Sequence, residues 1–427
     1  MEVIFEAVRR KVYERRDAIV KLAKELVQIP SVTGDEREAQ DFMRGKLREA
    51  GIKVETFEPN SEELKGHRSY FPTTSFIKRG YKNRPNVIGV IGEGERTLIL
   101  NGHIDVVPPG PAEGWRYDPW SGEISDGKIY GRGAGDMKAG LAAMISAAEI
   151  LLELDLLTEG KLLLESTIEE EDGGVGGALA TLLRGYRGDF SINPEPTGLD
   201  FWVASAGVLY FKIRVRGRPS HTMEPHKGVS AIDKMFLIYR ALKELDEERR
   251  KRVNFRYAEE CDDRIKGFVT FLNIGVIAGG DWPSTIPSWA EVHCRIGWPP
   301  GETSREVEDQ IIRRLEEVIN EDIWLKENPP EYNPSGWRAE PSLLDPDNSY
   351  VRRLESIVAR VTGRRPKYCG GTAGLDTRFF INDFNIPSVC FGPSAGNIHS
   401  FNEFVDIESL IKVTEAIAVF TLDFLNG

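Results

Sequence analysis

Cysteine and histidine are both scarce in this chain of 427 residues. The four cysteines, Cys261, Cys294, Cys369 and Cys390, lie far apart and form no CxxC pair. That argues against a disulfide scaffold and against a thiolate zinc site. Basic charge is in deficit as well: 55 Lys and Arg stand against 67 Asp and Glu, a formal net charge of −12. Proteins that grip nucleic-acid phosphates or an anionic bilayer carry a basic excess or stripe, so neither partner is expected. No uncharged apolar run approaches the roughly 18 residues that cross a bilayer. The N-terminal stretch MEVIFEAVRRKVYERR lacks the apolar core of a secretory signal, and a cytoplasmic location is expected. Glutamine is nearly absent (Gln28, Gln40, Gln310), a bias toward Glu and Arg that heat-adapted proteins share. The glycines of Gly173-Gly174-Val175-Gly176-Gly177 do not form GxGxxG, and no GK[ST] occurs, so a nucleotide-binding loop is excluded.

What is present is an ordinary globular balance, 41% hydrophobic and 29% charged. The length predicts two domains, since one core serves about 100–200 residues. Apolar positions at helical spacing (Val8, Val12, Ile19, Leu22, Leu26) predict one helix over 5–29, and a second follows near 35–50. Residues 58–86 read as a polar excursion. Strands near 87–91, 97–100, 161–168 and 188–192 alternate with helices at 137–153 and 174–184, the pattern of an α/β sheet covered on both faces. The pattern changes after residue 207. A half-buried strand at 208–215, a long helix at 229–250, strands near 268–277 and 289–296 and a helix at 303–320 read as a separate α+β unit. A Pro-rich stretch around 329–345 follows, and then a helix at 347–362 and a strand at 386–391 resume the first pattern. The expected organisation is therefore an α/β catalytic domain in two parts, 1–207 and 342–427, with an α+β domain inserted at 208–341.

Chemistry-bearing residues gather at the strand ends. His103 and Asp105 follow the run at 97–100; Asp136 closes a glycine-rich turn; Glu169, Glu170 and Glu171 follow the strand at 161–168. Glu195 follows the strand at 188–192, and His399 follows the last one. An acidic run is ordinarily a solvated face or a helix N-terminus. Here the acids sit at the carboxyl ends of consecutive strands, which in an open α/β sheet converge on one crevice. Carboxylates gathered there repel one another unless cations hold them. Imidazole nitrogen and carboxylate oxygen suit Zn²⁺, and Co²⁺ or Mn²⁺ accept the same ligands.

This ordered set resembles the dinuclear zinc amidohydrolases of the acetylornithine deacetylase, succinyl-diaminopimelate desuccinylase, aminoacylase and carboxypeptidase G family, over nearly the whole chain. The resemblance implies two Zn²⁺ per chain: His103 and Glu195 as terminal ligands of one, Glu171 and His399 of the other, and Asp136 bridging. It implies Glu170 as general base toward a metal-activated water and Asp105 as the carboxylate that orients His103. Glu169 stands where the family has Asp, a change expected to be tolerated at a position that is not a ligand. The fold implied is a zinc-exopeptidase-like α/β domain with an inserted ferredoxin-like lid and dimerisation domain. His221, in that insert, matches a histidine that stabilises the oxyanion across a homodimer. Arg295 and Arg378 match the task of binding a substrate carboxylate. Ser230 and Ser284 replace asparagines common in the family, which touches substrate contact. The function implied is hydrolysis of the amide of an N-acyl amino acid, with a dipeptidase or carboxypeptidase as the alternative.

Two other readings compete. Gly392-Pro393-Ser394-Ala395-Gly396 satisfies GxSxG, the serine-hydrolase elbow. An elbow leads into a helix, however, whereas 397–405 is polar and irregular, and the only later histidine is His399. A metal-stabilised binding protein is the other alternative; it would have no use for Glu170. His67, His226 and His293 read as structural.

Overall fold

The computed structural model describes residues 2–157 and 159–426. The chain divides into two compact units. Among the described residues the first holds 2–203, 343–369 and 375–426; the second holds 204–342 and 370–374.

The first unit is built on a nine-stranded mixed sheet. Thr97–His103 lies at its centre, parallel to Lys161–Thr167 on one side and to Phe190–Asn193 on the other. Ser388–Cys390 continues the parallel run beside Phe190–Asn193. These strands are nearly all buried, as strands covered on both faces must be. Antiparallel strands Asn86–Gly92 and Lys53–Phe57 extend one edge. Helix Ala139–Glu153 is apolar almost all round, which suits its buried place between the sheet and other helices.

Sequence periodicity missed two features of this unit. The helix expected over 5–29 is two helices, Glu2–Glu14 and Arg16–Gln28. Arg15 leaves helical geometry (φ −94°, ψ 8°) while its guanidinium donates to Glu149 at 2.6 Å and to Glu153. The C-terminal helix Ile407–Asn426 is the other; it keeps Glu408, Lys412 and Asp423 on one narrow face and is buried along most of its length.

The second unit is a four-stranded antiparallel sheet in the order Asn273–Gly279, Trp289–Trp298, Gly207–Arg216, Glu331–Ala339. Helices Ala231–Arg252 and Ser304–Glu321 complete a β-α-β-β-α-β order, a ferredoxin-like fold. Trp298, Phe211 and Leu242 belong to its core. The fourth strand lies in the segment read as merely Pro-rich. Its one proline, Pro334, is tolerated because it is an edge strand, and the pairing register shifts between Pro334 and Arg338.

The strip 370–374 belongs to this second unit rather than to the continuing α/β domain. Arg295 donates to the Thr372 carbonyl at 3.2 Å, and Ala206 N–H donates to the Gly371 carbonyl at 2.9 Å. Cys294 and Cys390 are buried and free, whereas Cys261 and Cys369 are disulfide-bonded. Wide spacing in sequence excludes a scaffold of bridges but not a bridged cysteine. Among the described residues no helix is long and apolar enough to cross a membrane.

Candidate metal centre and active site

The parallel strands deliver the donors. His103 is the last residue of its strand and pairs in register with Thr167, so the turn Glu169–Asp172 begins beside it. Glu195 follows Asn193 on the next strand over. Asp136 comes from the turn entering helix Ala139–Glu153, where Gly133 adopts φ +79° and a Cβ would strike Val106 at 2.4 Å. His399 sits in the loop after Ser388–Cys390, itself at φ +59°.

These side chains form two donor sets that share Asp136: His103, Asp136 and Glu195, and Asp136, Glu171 and His399. Within each set the ligand atoms lie within 4.8 Å of one another. His103 Nε2 is 3.0 Å from Asp136 Oδ1 and 3.8 Å from Glu195 Oε1. His399 Nε2 is 2.9 Å from Glu171 Oε2 and 3.4 Å from the other Asp136 oxygen. Two imidazoles and three carboxylates converging with one carboxylate in common fit a pair of divalent cations.

The electrostatics point the same way. Burial alone would depress the His103 imidazole, but Asp136, Glu195 and Glu170 outweigh it and hold its pKa well above the ordinary value. His399 is pushed up to about 10 by Asp136 and Glu171. Burial and neighbouring acids raise Glu195 and Glu170, although His103 opposes both. Protons thus stand in for the cations that the cluster is built to hold. Glu170 is buried, 4.0 Å from His103 Nε2, and belongs to neither donor set.

The expected role of Asp105 needs correction. The second ring nitrogen of His103 meets the backbone carbonyl of Asp105 at 2.8 Å, while the nearest Asp105 carboxylate oxygen is 3.6 Å away. The Asp105 carboxylate instead accepts from the backbone N–H groups of Glu170 (3.1 Å) and Glu171 (3.3 Å) and from the Thr33 hydroxyl (2.8 Å). One residue therefore fixes the His103 tautomer through its main chain and the acidic turn through its side chain.

Other supports were invisible in the sequence. Glu403 accepts from the N–H groups of Gly135 (3.0 Å) and Asp136 (3.1 Å) and pairs with buried Arg132. Arg132 and Glu403 are separated by 271 positions, so no local pattern could have linked them. Glu169 is a buried hub that accepts from Thr73 (2.6 Å), Ser75 (2.7 Å), Tyr81 (3.0 Å) and the Gly176 N–H (2.7 Å). It is not in either donor set.

The remaining candidates are placed as follows. Arg378 is buried and donates to the carbonyls of Leu375 (2.9 Å) and Gly173, so its guanidinium braces the end of the acidic turn. Arg295 is half-buried in the second unit. His221 is exposed in that unit, and its Nδ1 accepts from Met223 N–H at 3.0 Å. Among the other histidines, His293 meets Glu291 at 2.8 Å and His67 stacks on Phe384. After Ser394 the chain runs as the short strand Ala395–Gly396, paired with Phe404–Asp406, so no nucleophile elbow is formed.

Comparison with known proteins finds a family and full-length relatives. Residues 99–423 match the profile of Peptidase family M20/M25/M40. The chain is 28% identical over 445 residues to N-formyl-4-amino-5-aminomethyl-2-methylpyrimidine deformylase of Bacillus subtilis, covering 98% of this chain and 97% of that protein. It is 29% identical over 414 residues to succinyl-diaminopimelate desuccinylase of Methylobacterium radiotolerans, covering 93% and 94%. The structure of an M20 family metallo-carboxypeptidase from Sulfolobus solfataricus superposes with a TM-score of 0.72 at 18% identity, covering 95% of this chain and 98% of that one.

Proposed function

The chain belongs to Peptidase family M20/M25/M40 and is a metal-dependent hydrolase of the amidohydrolase and peptidase kind; from that premise we propose that it hydrolyses the amide bond of an N-acyl amino acid in the cytoplasm, using two Zn²⁺. The observation that carries this reading is Asp136 standing between two donor sets, with the buried carboxyl of Glu170 beside them and in neither.

When bound, such a metal pair supplies Lewis acidity that acidifies water and polarises an amide carbonyl. The chain's own residues do the rest. His103 is held by the Asp105 carbonyl with Nε2 turned toward Asp136. Asp105, through the two N–H groups it accepts, keeps Glu170 and Glu171 in fixed relation. Glu170 takes the proton of the attacking water and returns it to the leaving nitrogen. A buried carboxyl beside both donor sets and in neither suits holding that proton between the two steps. We read Arg295 as a contact for substrate carboxylate and Arg378 as a positioning residue.

His221 fits an oxyanion donor supplied by a second copy in a homodimer. With Nδ1 accepting from Met223, the proton resides on Nε2, free to be donated.

The test is a panel of N-acetyl, N-succinyl and N-formyl amino acids and dipeptides with added Zn²⁺ or Co²⁺. Turnover of an N-acyl amino acid that a chelator abolishes and metal restores is the expected result. Turnover that survives complete metal removal, or is blocked by a serine-directed fluorophosphonate, would overturn it. The dimer is tested by mixing His221→Ala with Glu170→Ala. Random subunit exchange should return about a quarter of wild-type activity, since half the dimers are mixed and each then has one complete site of two. No return after demonstrated exchange would place His221 outside the reaction or within its own chain.

A further inference from the structure

We propose that Phe401 is a positioning residue for one cation of the pair: its ring latches the loop carrying His399 onto the loop 107–116, and so sets how firmly Asp136, Glu171 and His399 hold a metal. This rests on the dinuclear reading and adds to it a residue that belongs to neither donor set.

The loop 397–402 is a run of turns and bends. Within it Asn397, His399 and Asn402 take φ of +55°, +59° and +58°. Three side-chain-bearing residues in the left-handed region make a strained path, which persists where the surrounding structure fixes it. Part of the fixing is internal. Ser400 N–H donates to the Asn397 carbonyl at 2.9 Å, and Asn397 Nδ2 donates to the Asn402 carbonyl at 3.1 Å. The rest comes from the loop 107–116. Its Arg116 N–H donates to Asn402 Oδ1 at 2.6 Å, and its glycines seat the Phe401 ring.

That seat is specific. A Cβ on Gly114 would stand 2.6 Å from Phe401 Cδ1, Cε1 and Cζ, and one on Gly110 would stand 3.2 Å from Cε1. Glycine at 114 is what lets the ring approach the backbone so closely. Trp115 meets the ring edge-on, with centroids 6.2 Å apart at 83°. Trp115 is itself held: its Nε1 donates to the Pro109 carbonyl at 2.9 Å, and the Arg132 guanidinium lies over it, 5.4 Å from the ring centre. Arg132 pairs with Glu403, which accepts the N–H of Asp136. The latch therefore ties the His399 loop to the brace that already holds Asp136, another ligand of the same cation. Phe401 is 39% exposed, so removing its ring frees the loop without opening the core. A freed loop puts the cost of ordering His399 onto metal binding.

The full chain, loaded with Zn²⁺, is dialysed against buffers of graded free Zn²⁺, and metal per chain is read by elemental analysis. The wild type should empty in two steps. In Phe401→Ala the looser step should move to at least about tenfold higher free Zn²⁺ while the tighter step stays in place, which also reports an intact fold. Gly114→Ala keeps Phe401 but denies it the seat, and should do the same. Both steps moving equally, or neither moving, would overturn the latch. A second measurement needs no metal. In the metal-free protein, hydrogen exchange at the amides of 397–402 should quicken at least about tenfold in both variants, while Lys161–Thr167 stays as protected as in the wild type. Unchanged exchange in the loop overturns the latch. If the wild type takes up fewer than two metals while the variants' loop quickens, the dinuclear reading fails and the latch stands.

Discussion

The two donor sets that meet at Asp136 use the same chemistry on different supports. His103 and Glu195 rise from adjacent parallel strands, with side chains 1% and 6% exposed. Glu171 and His399 come from loops, and the His399 ring is 50% exposed. His103 has its far nitrogen tied to a carbonyl, whereas His399 is held through Nε2 by the very carboxylates with which it would share a metal. Sheet-borne donors are positioned by the backbone ladder before any ligand arrives; loop-borne donors rely on the ligand for part of their order. The first set should therefore retain a cation and the second exchange it.

The largest expected effect separates base from donor in the acidic turn. Glu170→Ala should lose at least about 10²-fold in kcat while metal content stays unchanged. Glu171→Ala should lose metal from the loop-borne set as well as activity. Metal loss in the Glu170 variant would mean that the two neighbours have exchanged roles.

Metal stoichiometry sharpens the comparison directly. His399→Ala should keep one tightly held metal per chain, whereas His103→Ala should empty the sheet-borne set, both read by elemental analysis after chelator treatment. Identical counts would break the distinction. Acidity should act on the same set. In the metal-free protein His399 titrates at about 10, so at pH 7.5 it is an imidazolium that must lose its proton to coordinate. Apparent metal affinity of the loop-borne set should weaken about tenfold for each unit of pH lost between 10 and about 7, and more steeply below, where Glu171 also takes a proton. Without metal the sign reverses for stability. The raised His399 pKa stabilises the folded chain fully below its unfolded value, near 6.5, and that contribution disappears as pH rises through 10.

The smallest effect concerns the ladder beneath the sheet-borne set. Asn193 donates to Asn101 at 2.9 Å and Asn101 to buried Glu165 at 2.9 Å, across three parallel strands. Burial pushes the Glu165 carboxyl up to about 8, and Asn101 only partly offsets it. The fold prefers the neutral form, so the wild type should lose stability as pH rises from about 4.5 through 8. Glu165→Gln keeps an acceptor for Asn101 and removes that decline. Its Tm should exceed the wild type's by about 2 °C or more at pH 9 and by nothing at pH 5. Parallel pH curves for the two proteins would mean that Glu165 is already paired as an anion.

Strands at 97–103, 161–167 and 190–193 were legible because buried parallel strands are unbroken apolar runs. The donors at their ends were legible as acids and histidines gathered after such runs, and their assignment to two sets came from the family resemblance. Less regular features were hidden. Pro334 disguised an edge strand, and a single residue, Arg15, broke a pattern that periodicity read as continuous.

By itself the sequence determined which side chains could meet, since the order of apolar runs dictates which loops share one edge of a parallel sheet. Only the tertiary structure decided how they are used. It turned the Asp105 carbonyl, not its carboxylate, to His103, and it brought Glu403 under Asp136 from far along the chain. Hydrogen bonds and ion pairs depend on distances and angles of a few tenths of an ångström between segments remote in sequence, and no local pattern of residue types encodes them.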